Sequence, residues 1–275
     1  MNLIENKRII SLVPSHTEIL YFLGLQARIV GVTEHCNFPE EAKAKEKVGT
    51  FGQPQLATIL SLKPDLVLAD QALHKGIIAE LENSGVKVLA STPSNVDDVF
   101  ELMNKLVTVC GPDISEQTDI NSLQERVQKL RQSSHGRKPR VFYLMSTDPI
   151  VTPGSKSIQD DALRIAGGQL MDFQSEDFYV QVRFDQIKEF DPEVILFCGY
   201  EKGQPLPPKC KGCVAKKPIC QRTVDDIINK DWEGITAVRE NRVYPISCHT
   251  ICRPGPRLVD GMEKLQELLS SSSSF

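Results

Sequence analysis

Cys198, Cys210, Cys213 and Cys220 stand in a C-x11-C-x2-C-x6-C arrangement within a loop rich in proline, glycine and lysine. Thiolates two residues apart can share one metal ion, and two more from the same loop complete a soft four-ligand set. Such a set suits a tetrahedral zinc or a [4Fe–4S] cluster, and spacing alone does not separate them. Lys209, Lys211, Lys216 and Lys217 would offset the negative sulfurs. An inserted loop carrying ordinary thiols is the plainer alternative. Histidine supplies a second set. His16, His35, His74 and His249 are four of the five in the chain, each at or just after the end of an expected strand. Imidazoles converging there could hold cobalt, iron or zinc, although each taken singly also reads as an ordinary polar residue. No Ser-His-Asp order, P-loop or GxGxxG fingerprint occurs, so there is no positive case for covalent catalysis.

The elements that must position these residues alternate. Short apolar runs at 9–13, 29–32, 66–68 and 86–89 read as buried strands, with helices expected at 15–23, 56–62, 75–84 and 96–109. Ser15 reads as a helix N-cap, with Glu18 completing a capping box. Gly24 and Gly85 read as helix stops. The spacing predicts one long helix from Asp113 to Arg131, with Ile120, Leu123, Val127 and Leu130 on one apolar stripe. A second alternating series follows, with strands at 141–144, 194–197 and 243–246. Its helices are expected at 157–166, 184–189, 224–229 and 258–269. Strand–helix alternation at this spacing means parallel α/β lobes. The organisation is therefore a first lobe over 1–112, an interlobe helix over 113–136, and a second lobe over 137–275 with the Cys-rich loop at 198–220.

Bulk properties narrow the function. The chain has 275 residues, 40% hydrophobic and 25% charged, with a net charge of -4, which excludes a general nucleic-acid or anionic-membrane surface. No apolar run approaches the roughly 20 residues needed to cross a bilayer. Residues 1–8 lack the apolar core of a signal peptide. Eight cysteines in a chain too large to need disulfide staples point to a reducing compartment, so a cytoplasmic location is expected.

The segments RIISLVPSHTEILYFLGL, IVGVTEHCNFP, ATILSLKPDLVLA, VTPGSKSIQDDALRIAGG, FDQIKEFDPEVILF and RVYPISCHTICRPGPRLVDGMEKL occur in family order over nearly the whole chain. Together they resemble the helical-backbone (class III) substrate-binding proteins of cobalamin and iron-siderophore ABC uptake, with the cobalamin-binding branch the nearer likeness. The resemblance implies two Rossmann-like lobes bridged by one long α-helix, with a ligand cleft between them. It also implies ligand contacts from Pro14, Ser15 and His16 in the first turn. His35 and Phe51 fall at aromatic contact positions, and Thr152 and Gly154 on a cleft-edge loop. His249 and Arg253 fall on the far wall. Family members dock on a permease through an acidic residue on each lobe. Here those positions are Ala57 and Asp185, and the missing carboxylate argues against standard ABC permease docking. The expectation is a binding protein for a corrinoid or metal chelate. The rival reading is a redox or corrinoid-modifying protein that uses the four-cysteine loop, and a zinc-stapled scaffold is a third.

Overall fold

The structure is a computed structural model and describes residues 7–111, 120–133, 136–207 and 218–270, apart from the side chain of Cys248. The chain divides into two compact units. The first comprises residues 1–93, 97–123 and 254–256, and the second comprises 94–96, 124–253 and 257–275.

In the first unit, strands β1 (Ile9–Ser11), β2 (Ile29–Val32), β3 (Leu66–Ala69) and β4 (Lys87–Ala90) form one parallel sheet in the order β2-β1-β3-β4. Every residue of β1 and β3 is buried, as strands covered on both faces require. Ile10, Leu12, Val67 and Ala69 pack with Ile59 and Leu81, which come from α2 (Leu56–Ser61) and α3 (Lys75–Asn83). The expected capping box at the start of α1 (Pro14–Phe22) is corrected. Val13 is the N-cap and Pro14 takes the first turn, where its missing N–H costs nothing. Ser15 and Glu18 are buried instead. The expected stops hold. Beyond α1, Gly24 adopts φ 71°, and the amides of Leu25 and Gly24 donate back to the carbonyls of Leu20 and Tyr21. The same paired bonds close α3 at Gly85. Helix α4 (Val96–Cys110) contributes all but its first residue to this unit.

Helix α5 is Ile120–Ser133, and residues 113–119 of the expected long helix lie outside the described residues. Its stripe is real, since Leu123, Val127 and Leu130 are buried.

The second unit is built on a parallel sheet of β10-β9-β5, with β5 at Val141–Leu144, β9 at Val194–Cys198 and β10 at Val243–Ile246. Its core joins Phe142, Leu144, Ile195 and Phe197 to Ile187 of α7 (Phe184–Phe190) and to Trp232. A small antiparallel sheet of β6 (Ser146–Thr147), β7 (Ile150–Pro153) and β8 (Tyr179–Gln181) is additional to the expected elements. Between β7 and β8 lies α6 (Ile158–Ile165), capped by the Ser157 hydroxyl, which accepts from the Asp160 amide. The helix expected at 224–229 is only a 3₁₀ turn at Val224–Asp226, because the Thr223 amide and hydroxyl both donate to the Asp226 carboxylate and close the turn early. Short helices α8 (Thr236–Arg239) and α9 (Cys248–Ile251) precede the last helix, α10 (Arg257–Ser270). Arg126 of α5 pairs with Asp260 and Glu263 of α10 at 2.6 Å each.

Candidate functional site

In the first sheet the connections leave β1 in opposite directions, β2 lying on one side and β3 on the other. Open parallel sheets bind ligands outside the strand C-termini where the order reverses. The loops after β1, β2 and β3 carry His16, His35 and His74 to this end of the sheet.

These rings are committed in different ways. The Asp70 amide donates to His74 Nδ1 at 3.0 Å, so the neutral ring carries its proton on Nε2. That N–H donates to the Phe51 carbonyl at 2.7 Å. The Phe51 amide in turn donates to His35 Nδ1 at 3.2 Å. Two histidines therefore grip the backbone of one residue from both sides. The Phe51 ring meets the His74 ring edge-on, with centroids 5.5 Å apart, and lies 6.4 Å from the His35 ring. Phe51 and His35 are half-buried, whereas His74 is buried. With Nδ1 accepting, the His35 proton sits on Nε2, which is then an N–H donor and not a lone pair for a metal.

His16 is enclosed, with 1% of its surface exposed, and neither ring nitrogen has a hydrogen-bond partner among the described residues. Burial lowers its pKa to about 4; the Asp70 carboxylate opposes that shift and the neighbouring His74 adds to it. The ring is therefore neutral at pH 7. Pro14 is half-buried and Ser15 buried. Gly255 lies over this first turn, since a Cβ there would sit 3.4 Å from the Ser15 carbonyl and 3.8 Å from Glu18. Beneath α1, the Thr17 hydroxyl bonds Ser11 and Cys36 at 2.9 and 3.0 Å, and burial raises the Cys36 thiol pKa.

In the second unit, Thr152 is buried in β7, opposite Val180 of β8. Gly154 is needed for packing, because any Cβ there would collide with the Asp177 carbonyl. His249 and Arg253 are half-buried, on and just after α9.

Of the four expected metal thiolates, Cys210 and Cys213 lie outside the described residues. Cys220 is half-buried at a 3₁₀ turn. Among the described residues no group of three or more His, Cys, Asp or Glu could hold a metal. Cys198 belongs to a different cluster. The Tyr143 hydroxyl lies 2.7 Å from its sulfur and 3.2 Å from that of Cys252. The Arg222 guanidinium donates to the Cys198 and Met145 carbonyls. Cys252 is half-buried, and its pKa falls to about 7. The hydrogen bond with Cys198 is the largest cause. Burial opposes it, and bonds with Tyr143 and Gln159 and the charge of Arg253 add to it. Sequence reasoning missed this cluster, as it also missed the role of His74 in holding Phe51.

Two units, each built on a parallel α/β sheet, are the architecture of a two-lobed binding protein. The chain belongs to the periplasmic binding protein family, whose model matches residues 9–247. It is 29% identical to an uncharacterized ABC transporter substrate-binding lipoprotein, YvrC, of Bacillus subtilis, across 96% of this chain and 80% of the relative. It is 26% identical to the vitamin B12-binding protein of Vibrio parahaemolyticus, across 96% of this chain and 90% of the relative. Among solved structures it is similar to the periplasmic vitamin B12 binding protein BtuF of Vibrio cholerae, with a TM-score of 0.79 and 25% identity. That match covers 98% of this chain and 99% of the other. The periplasmic heme-binding protein RhuT of Roseiflexus shares the fold, with a TM-score of 0.76 at 20% identity, covering 97% of this chain and 99% of the other.

The cytoplasmic expectation is corrected by this membership, because the family and the relatives are periplasmic or lipoprotein binding proteins. The cysteine argument fails for a physical reason. Cys36, Cys110 and Cys198 are buried, so their number reflects packing and says little about redox compartment. Among the described residues no helix is long and apolar enough to cross a membrane.

Proposed function

We propose that this chain is the substrate-binding component of an uptake system for a corrinoid or a related metal-centred macrocycle such as heme. The observation that carries the reading is the likeness to vitamin B12-binding proteins along nearly the whole of both chains. The chemistry of the first unit supports it. A half-buried Phe51 ring offers an apolar face to a flat macrocycle, and the His35 Nε2–H beside it offers a donor to a peripheral amide or carboxylate. On this reading His35 is a peripheral contact and leaves the metal's axial position to another group. Docking on a permease rests on one carboxylate in place of two. Ala57 is exposed on α2, and exposed Asp185 on α7 is already paired with Arg183 at 3.0 Å.

Titration of the purified chain with cyanocobalamin and with hemin, followed by quenching of Trp232 and by the visible spectrum, tests the reading. Binding of one of them is expected, with Phe51→Ala weakening it about tenfold, or about 1.4 kcal/mol. Absence of binding by both ligands would refute the proposal.

A further inference from the structure

The second unit carries a thiol pair that the ligand-binding role does not use. Cys198 ends β9, and Cys252 follows α9. The Tyr143 hydroxyl, at the level of β5, touches both sulfurs, at 2.7 Å from Cys198 and 3.2 Å from Cys252. Cys198 is buried and Cys252 is half-buried. We propose that Cys252 and Cys198 are a redox-active dithiol that closes to a disulfide by exchange with small-molecule disulfides, Cys252 attacking and Cys198 resolving.

The asymmetry of the pair assigns the roles. Cys252 is half-buried whereas Cys198 is buried, so Cys252 is the thiol of the pair that a soluble disulfide meets first. Burial pushes the Tyr143 hydroxyl up, so it stays protonated and can donate to a thiolate on either sulfur. The Arg222 guanidinium places positive charge behind Cys198. In the first step the Cys252 thiolate attacks one sulfur of oxidised glutathione. The glutathione S–S bond breaks, and one glutathione leaves and takes up a proton. Cys198 then loses its proton, and its sulfur attacks the Cys252 sulfur of the mixed disulfide, releasing the second glutathione. Two protein thiols are oxidised by two electrons, and one glutathione disulfide is reduced to two thiols.

The test treats the full chain with oxidised glutathione at neutral pH, blocks remaining thiols by alkylation, and maps peptides by mass spectrometry. The expected result is a mass loss of two hydrogen atoms and a dithiothreitol-reversible link between the peptides carrying Cys198 and Cys252. This link should persist in Cys220→Ser. In Cys198→Ser, glutathione should remain trapped on Cys252. A link from either cysteine to any other position, or no link, overturns the proposal. Glutathione accumulating on Cys198 in Cys252→Ser overturns the assignment of roles. The wild-type map decides the matter even if a serine variant misfolds.

Discussion

Replacing His16 should change how stability depends on acidity. Its folded pKa is about 4, against 6.5 for an unrestrained ring, because the enclosed imidazole cannot be hydrated when charged. Between those values the unfolded chain binds a proton that the folded chain refuses. Stability is therefore whole above about pH 6.5 and drains away as pH falls towards 4. The full loss is about 3 kcal/mol, and about 2 kcal/mol has gone by pH 5. In His16→Leu this contribution vanishes, so the variant should lose about 2 kcal/mol less than wild type between pH 8 and pH 5. Any effect of the substitution that does not depend on pH cancels in that difference. The assay must report on the first unit. The chain's single tryptophan, Trp232, lies in the second, so its fluorescence is the wrong probe. Hydrogen exchange of peptides spanning β1 and β3, measured against urea at both pH values, is the right one. Equal losses in wild type and variant would refute the claim that burial holds His16 neutral.

Trp232 packs its ring on Phe184 with centroids 4.9 Å apart, inside the second core. Trp232→Ala should cost about 3–5 kcal/mol in urea unfolding followed by circular dichroism. Gly154→Ala should destabilise the second unit by about 1–3 kcal/mol, because the Asp177 carbonyl must move to admit the methyl group. That loss should appear as faster hydrogen exchange in β7 and β8. Arg126→Ala removes pairs that are a third to a half exposed, so it should cost no more than about 1 kcal/mol, and less in high salt.

The strands were legible because parallel sheets demand continuous apolar runs. The expected bounds at Val141–Leu144 and Val243–Ile246 match the observed ones. Helix stops at Gly24 and Gly85 were equally plain, since a backbone at positive φ selects glycine. The start of α1 was misread because Pro14 can open a helix without a side-chain cap, which leaves Ser15 and Glu18 to be buried. Strand β6 has two residues, too few to show alternation. Of the candidate site, the histidines at strand ends were visible in order. The backbone grip on Phe51 was not, because it rests on ring nitrogens and main-chain groups that spacing does not encode. Tyr143 reaches sulfurs 55 and 109 residues away, a separation at which no motif survives.

Pro254–Pro256 belongs to the first unit although the chain on either side belongs to the second. The tripeptide brings Gly255 against the opening turn of α1, so that turn is completed by residues encoded near the end of the chain. A fragment stopping at Leu123 would hold all four strands of the first sheet and still lack this cover. A chimera made with one crossover at Leu123 would set one parent's PGP segment on the other parent's Ser15 and Glu18. Exchanging the first unit intact between relatives requires the tripeptide to travel with it.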